Sequence, residues 1–392
     1  MSGPRTTPDA REEATSSSKT IEARNGPGHG TGSGGEPGGK AGPIPGRWRF
    51  PLALISTVAL GLLLGAGGYW ALNLRDSAPP EPPPASQSAE AASPLVRSSV
   101  VCPLCGASLE RMPATRPLAV MIDNLPAARP PSGLEEADLV YEAPAEGGVT
   151  RLMPVFYHQK PGKIGPVRSV RPYYITLAQE HQAIIVHCGG SQEALEQIKS
   201  QNIASIDELL GIRYFWRSTQ RSEPHNLYSS SEMLEQAAKE LKLQKGVKLP
   251  ARVFMNPDTS PAGGIPAASL SLDYGSSSSE VRYVYDPSQR MYLRFNGGSP
   301  HRDADSGRQL AAANVVVQYV SGRVLDAEGR LQLGVLGTGK AEIHTRGQKI
   351  EATWAKSSPA ARTVFKDRQG QEVAFAPGTT WVQLVTPQVR VY

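Results

Sequence analysis

From Phe50 to Leu74 the chain runs for 25 residues without a charged side chain. As a helix this run would measure about 37 Å, against a bilayer hydrocarbon core of about 30 Å. Pro51 fits the first helical turn, where its missing N–H costs nothing. Tyr69 and Trp70 lie near the far end, where aromatic rings favour the membrane interface. The run therefore reads as a transmembrane helix, 50–74. Lys40, Arg47 and Arg49 precede it and only Arg75 follows closely, which places the N-terminus in the cytoplasm and the folded domains outside. A signal peptide cleaved near Ala66-Gly67-Gly68 is the alternative. Gly61 and Gly65 form a G-x-x-x-G pattern through which two such helices can pair as a homodimer.

The flanks are poor material for a core. Ten glycines fall between Gly26 and Gly46, and residues 1–49 read as a disordered cytoplasmic tail that cannot offset its ordering entropy. The G-x-G-x-x-G match at Gly30–Gly35 has neither a preceding strand nor a following amphipathic helix, so it carries no nucleotide site. Residues 75–100 are rich in Pro, Ala and Ser and make an extended spacer. The net charge is +5, and no Lys/Arg run is interleaved with aromatic residues, which argues against nucleic acid as a partner.

In 101–256 apolar runs alternate with helical patterns. Pro117–Asp123, Asp138–Ala143, Arg151–His158 and Ala183–His187 read as strands. Helices open at Pro172, at Ser191 and behind a capping box formed by Ser229 and Glu232, the last with Met233, Leu234, Ala237, Ala238 and Leu241 on one face. This is an α/β (mixed α+β) domain with a layered sheet and covering helices. Residues 257–279 are rich in Pro, Gly and Ser and read as a linker. From 280 to 392 strands dominate: Val281, Tyr283 and Tyr285 alternate with polar residues, and after a turn Met291, Leu293 and Phe295 alternate again. Val315–Val320, Ala341–Thr345, Lys349–Trp354, Thr363–Lys366 and Trp381–Val385 continue a smaller, β-rich C-terminal domain.

Cys102-Pro103-Leu104-Cys105-Gly106 has the spacing of half a zinc knuckle, which Cys188 with His187 or another histidine would have to complete. A local disulfide between Cys102 and Cys105, or two unpaired thiols in a turn, fits the same spacing.

Several long motifs in order give the chain a family resemblance. Arg116–Asn124, Ala137–Glu142, Glu146–Arg151, Ile164–Pro172, Pro224–Tyr228 and His301-Arg302-Asp303 resemble the YerB-like family of bacterial extracytoplasmic lipoproteins, over about Pro103 to Tyr392. The resemblance implies a mixed α/β domain followed by a β-rich one, attached to the outer face of the membrane of a Gram-positive-type cell. It implies no particular reaction. Where the family carries a lipid-modified cysteine, this chain has a membrane span. Where family members tend to have a Pro-Leu-Thr-Gly turn, it has Pro103-Leu104-Cys105-Gly106, which weakens the zinc reading; no metal and no cofactor is assigned.

The best candidate site is Arg168 and Arg171 beside the helix opened by Pro172, joined by Arg151. Free helical N–H groups and guanidinium forks suit a carboxylate or phosphate. The competing reading pairs these arginines with Asp123, Glu142 or Glu146. Asp123-Asn124 ends a strand at the edge where α/β layers place ligands, and Asp123 is open to three roles: general base, cation ligand or turn former. His187, before two glycines, is a candidate proton carrier or a structural histidine, and His225-Asn226 is a polar turn able to reach the same cleft. H-E-x-x-H, G-x-S-x-G and S-x-x-K are absent from the folded region, and Gly334–Ala341 departs from a P-loop by ending in alanine. Three functions stay open. One is an anchored envelope protein that binds an anionic ligand, a cell-wall fragment or a protein partner, including another membrane protein. The second is an envelope hydrolase or transferase using Asp123 and His187 with Arg168 and Arg171. The third is a non-catalytic membrane scaffold.

Overall fold

The computed structural model describes residues 100–392, apart from positions 212 and 262. The N-terminal tail, the Phe50–Leu74 span with Gly61 and Gly65, and the spacer up to residue 99 lie outside the described residues. Among the described residues, no helix is long and apolar enough to cross a membrane.

The apolar runs build one twelve-stranded sheet. Its order is Ile265–Pro266, Gln348–Lys356, Gly337–Thr345, Asn314–Tyr319, Thr380–Val385, Leu139–Pro144, Thr150–Phe156, Leu118–Val120, Ile184–His187 and Ser205–Asp207. Val364–Asp367 and Ile122–Asp123 pair off this path, with Gln348–Lys356 and Thr150–Phe156. Leu139–Pro144, Thr150–Phe156 and Thr380–Val385 are buried at every residue, as a sheet covered on both faces requires. Side chains alternate between the two faces. Tyr141, Val316 and Val382 enter one apolar cluster, and their neighbours Val140, Val315 and Trp381 enter the other.

Helices α1 (Pro172–Glu180) and α2 (Gln192–Ser200) cover the first face through Tyr173, Tyr174, Leu177 and Ala194. Helix α3 (Ser231–Glu240) covers the second through Leu234, Ala237 and Ala238. A six-stranded antiparallel sheet containing Ser269–Asp273, Glu280–Asp286 and Met291–Asn296 packs on that same face. The mixed α+β class and the β-rich second half agree with the sequence reading.

Three local expectations are corrected. Ser269–Asp273, assigned to the linker, is a strand paired with Glu280–Asp286; Leu270 and Leu272 are buried, and the serines around them hid a short alternation. In Met291–Asn296 the buried residues are Tyr292, Arg294 and Asn296, while Met291, Leu293 and Phe295 are only half-buried. The apolar alternation there points the wrong way because a buried carboxylate, Glu142, draws Arg294 inward. Ser230, not Ser229, caps α3 by accepting from Met233 N at 3.2 Å; Ser229 is buried and donates to Tyr214 O at 2.7 Å.

The strand Thr380–Val385 lies parallel to both Asn314–Tyr319 and Leu139–Pro144. One sheet thus joins the 101–256 and 280–392 segments without a break.

Candidate functional site

The segment Ile164–Arg171 lies across the end of the sheet. Arg168 N donates to Met121 O at 2.9 Å, and Val167 N donates to Leu227 O at 2.7 Å. The approach to Leu227 is close: a Cβ on Gly165 would stand 2.7 Å from the Leu227 carbonyl oxygen. This contact brings the 216–228 turn region over the end of Ile122–Asp123. His225 Nδ1 then meets Asp123 Oδ2 at 2.7 Å, and Arg168 Nε stands 3.0 Å from the same oxygen. Asp123 Oδ1 accepts from Leu125 N at 2.9 Å. Asp123 is buried, so every one of its contacts is internal. As acceptor it fixes His225 with the proton on Nδ1, leaving Nε2 without a partner among the described residues.

Arg151, Arg168 and Arg171 converge on one open cleft of about 590 Å³, which Arg330, Glu146 and Glu328 also line. Three of the four arginines are already paired. Arg168 meets Asp123, Arg171 Nε meets Glu146 Oε1 at 2.5 Å, and Arg330 Nε meets Asp326 Oδ2 at 2.6 Å. Arg151 differs. It is 8% exposed, its Nη1 donates to Ser169 O at 3.0 Å, and it has no carboxylate partner among the described residues. Burial, and then the charge of Arg171, lower its pKa. A second cavity of about 390 Å³ shares Arg171 and Arg330 with the first and is walled by Tyr173, Leu331, Leu333 and Val335.

Other candidates have different neighbours. His187 is buried; its Nδ1 lies 2.8 Å from Gly189 O and its Nε2 2.7 Å from Ser205 Oγ, so it fastens the loop after its own strand and does not meet Asp123. Asn124 is fully buried, donates to Thr150 Oγ1 at 2.7 Å, and accepts from Arg129 at its carbonyl oxygen. Asn226 donates to Ser218 O and accepts from Arg217, closing its own turn. Cys188 donates to Glu208 at 3.2 Å, and burial pushes its thiol up to about 11, which leaves it a poor nucleophile.

A separate cluster forms at the Cys102–Cys105 turn. Cys102, Cys105, Asp138 and His158 bring their ligand atoms within 4.8 Å of one another. Cys102 Sγ lies 3.6 Å from Asp138 Oδ1, Cys105 Sγ lies 3.7 Å from His158 Nδ1, and His158 Nδ1 contacts Asp138 Oδ1 directly. The two cysteines are free thiols, so the local disulfide is not formed here. Hydrogen bonding from Cys105 holds the Cys102 thiol down to about 6, while that same bond and burial push Cys105 up. The bond to Asp138 raises His158 to about 10.

The model for the N-terminal domain of the family "Protein of unknown function (DUF3048)" matches residues 104–244, and the model for its C-terminal domain matches 270–382. The chain is 34% identical over 294 residues to "Putative lipoprotein YerB" of Bacillus subtilis (strain 168), covering 72% of this chain and 85% of that relative. This chain belongs to the YerB-like DUF3048 family. The crystal structure of the Bacillus subtilis YerB protein is similar to it with a TM-score of 0.68 at 30% identity, covering 75% of this chain and 99% of the other.

In this YerB-like chain the structure brings the three arginines named by the sequence motifs to one cleft, with Asp123 against Arg168, and Asp123 meets His225, the turn histidine expected to reach the same cleft, and not His187. His225 is the partner, and its signal was the Pro224-His225-Asn226 turn, whose reach depends on the Gly165 contact. The Cys-x-x-Cys spacing was visible, yet its companions are Asp138 and His158 rather than Cys188 or His187. Both sit at ends of neighbouring strands, a placement that only strand register reveals. Arg330 and Glu328 come from the second half of the chain, where no motif marked them.

Proposed function

We propose that this YerB-like chain is a membrane-held, extracytoplasmic envelope protein whose arginine-lined cleft binds an anionic ligand, such as a carboxylate- or phosphate-bearing cell-wall fragment or an acidic segment of a partner. The reading rests on Arg151, a buried guanidinium that lines the cleft and has no carboxylate partner among the described residues. Glu146 offsets this buried charge only from a distance and is engaged by Arg171, so an incoming anion would meet the guanidinium directly while gaining bidentate hydrogen bonds. Arg168 and Arg171, held in place by Asp123 and Glu146, add positive potential without needing to move. The apolar cavity beside Arg171 offers room for a ligand whose charged group continues into an apolar portion. Attachment outside the membrane is supported by the Phe50–Leu74 run with its basic N-terminal flank, and by the word lipoprotein in the name of the Bacillus relative.

Calorimetric titration of the purified full chain with inorganic phosphate and with peptidoglycan fragments tests the site. Saturable binding that weakens with salt and is lost in Arg151→Gln is expected; equal binding by that variant overturns the reading. Proteinase added to intact protoplasts should digest the C-terminal part, and its survival until lysis would overturn the address.

One observation favours a second reading, an envelope hydrolase or transferase. Asp123 orients His225 at 2.7 Å, as a carboxylate orients a general base, and His225 takes the place that sequence reasoning gave to His187. New products from peptidoglycan fragments that vanish in His225→Ala would favour it. Retention without product favours binding.

A further inference from the structure

We infer that Cys102, Cys105, Asp138 and His158 form a structural zinc site that locks the Cys102–Cys105 turn onto the central sheet. Two thiolates, one imidazole and one carboxylate make a four-ligand set suited to zinc in donor number and softness. With Zn–S of about 2.3 Å and Zn–N or Zn–O of about 2.0–2.1 Å, tetrahedral geometry separates neighbouring ligand atoms by about 3.3–3.8 Å. The Cys102–Asp138 and Cys105–His158 separations of 3.6 and 3.7 Å fall on those edges. All the ligand atoms lie within 4.8 Å of one another, and the direct contact between His158 and Asp138 must open to admit the ion.

The surroundings are those of a metal knuckle. Cys102 N donates to Ala107 O at 2.8 Å and Gly106 N donates to Cys102 O at 2.9 Å, closing a tight turn that directs both sulfurs to one side. Gly106 has φ +74°, and a Cβ there would press into the Phe254 ring at 2.6 Å, so glycine is required twice over. Asp138 Oδ2 accepts from Tyr157 N at 2.7 Å and from His158 N at 3.3 Å, which pins the carboxylate with Oδ1 toward the sulfurs. Gly378 N donates to Cys105 O at 2.7 Å, docking the turn from outside. Cys102, Cys105 and Asp138 are buried, and the His158 side chain is 16% exposed. With four protein ligands and no open position, the ion would hold structure and not a reacting water. On binding, the cysteine thiol and imidazolium protons leave to solvent as the thiolates and neutral imidazole take the metal.

The test is metal analysis of the full chain purified in detergent without added chelator. Stoichiometric zinc, about one ion per chain, is expected for the wild type and for Cys188→Ser, with loss of the ion in Cys102→Ser and Cys105→Ser. Because those two variants could misfold, the wild type is also exchanged with cobalt. Intense visible bands of tetrahedral cobalt with a thiolate charge-transfer band support the site. A native chain that takes up neither zinc nor cobalt overturns it, as does a Cys102–Cys105 disulfide in the protein isolated under non-reducing conditions.

Discussion

Arg294 Nη2 and Glu142 Oε2 meet at 2.8 Å with neither side chain exposed to solvent. Glu142 lies on the central strand Leu139–Pro144, and Arg294 lies on the six-stranded sheet packed above it. The guanidinium also sits 4.3 Å from the Trp381 ring, donates from Nε to His301 Nδ1 at 2.9 Å, and donates from Nη1 to the Tyr283 hydroxyl. A buried pair of this kind contributes little over an apolar pair, but removing one partner strands the other. Arg294→Met and Glu142→Gln should therefore each lower the unfolding free energy by about 3–5 kcal/mol. The double variant should fall short of the sum of the two, measured by urea unfolding. Strict additivity would show that the two charges do not interact.

Acid should weaken the fold in two steps. Burial first, then the Arg252 and Lys356 charges, hold His181 down to about 4, and burial with Arg294 and Arg129 lowers His301. A histidine with a lowered folded pKa binds protons more readily when unfolded, so stability is full above about 6.5 and falls as pH drops towards 4. Glu180 acts lower. Burial alone would raise it, but the charges of His181, Lys356 and Arg252 prevail and hold it down to about 2. Its contribution is present above about 4.5 and is lost as pH falls from there towards 2. Unfolding free energies measured across pH should show both slopes, and His181→Gln should flatten the upper one. An unaltered slope between pH 4 and 6.5 in a His181→Gln, His301→Gln double variant counts against this assignment.

Arg151→Met should separate stability from binding. Replacing a buried charge that lacks a carboxylate partner by an apolar side chain of similar length relieves its desolvation, at the loss of the bond to Ser169 O. The ligand-free variant should be as stable as the wild type or more so, by up to about 1 kcal/mol, and phosphate should no longer raise its melting temperature. A large drop in stability would mean that Arg151 is a structural residue.

Gly165→Ala should be severely destabilising although it adds one methyl group. The new Cβ would meet the Tyr228 ring at 2.6 Å and the Leu227 carbonyl oxygen at 2.7 Å, and the latter is backbone that cannot swing aside. Overpacking of this kind costs about 1–3 kcal/mol. Because the same contact sets His225 against Asp123, nuclear magnetic resonance of the His225 ring should register the displacement. A variant with wild-type melting and an unshifted His225 signal would contradict this packing account.

The long apolar segments were legible because their pattern is dictated by burial. Leu139–Pro144, Thr150–Phe156 and Ile184–His187 are each flanked by strands on both sides and buried at every residue, and α3 shows its apolar stripe as leucine and alanine. Legibility failed where polar groups went inside. Arg294 inverted the apparent phase of its strand, and Ser269–Asp273 concealed two core leucines among serines in a stretch of loop-like composition. The arginine cleft was half visible: Arg168 and Arg171 stand three residues apart in sequence, but Arg330 arrives from the other half of the chain. That joining depends on long-range strand order, which no local periodicity encodes.

Strand order also governs when the fold can close. Thr380–Val385 occupies a place between Asn314–Tyr319 and Leu139–Pro144, two strands that lie well before it in the sequence. Until it arrives, Leu139–Pro144 presents an open hydrogen-bonding edge with nothing to zip against, and a nascent chain should stay protease-sensitive and loosely collapsed. Truncation after Pro377 should therefore abolish cooperative unfolding of the whole, not merely trim a terminus. Completion of the central sheet thereby waits for a strand made long after both of its neighbours, and the two halves of the chain can mature only together.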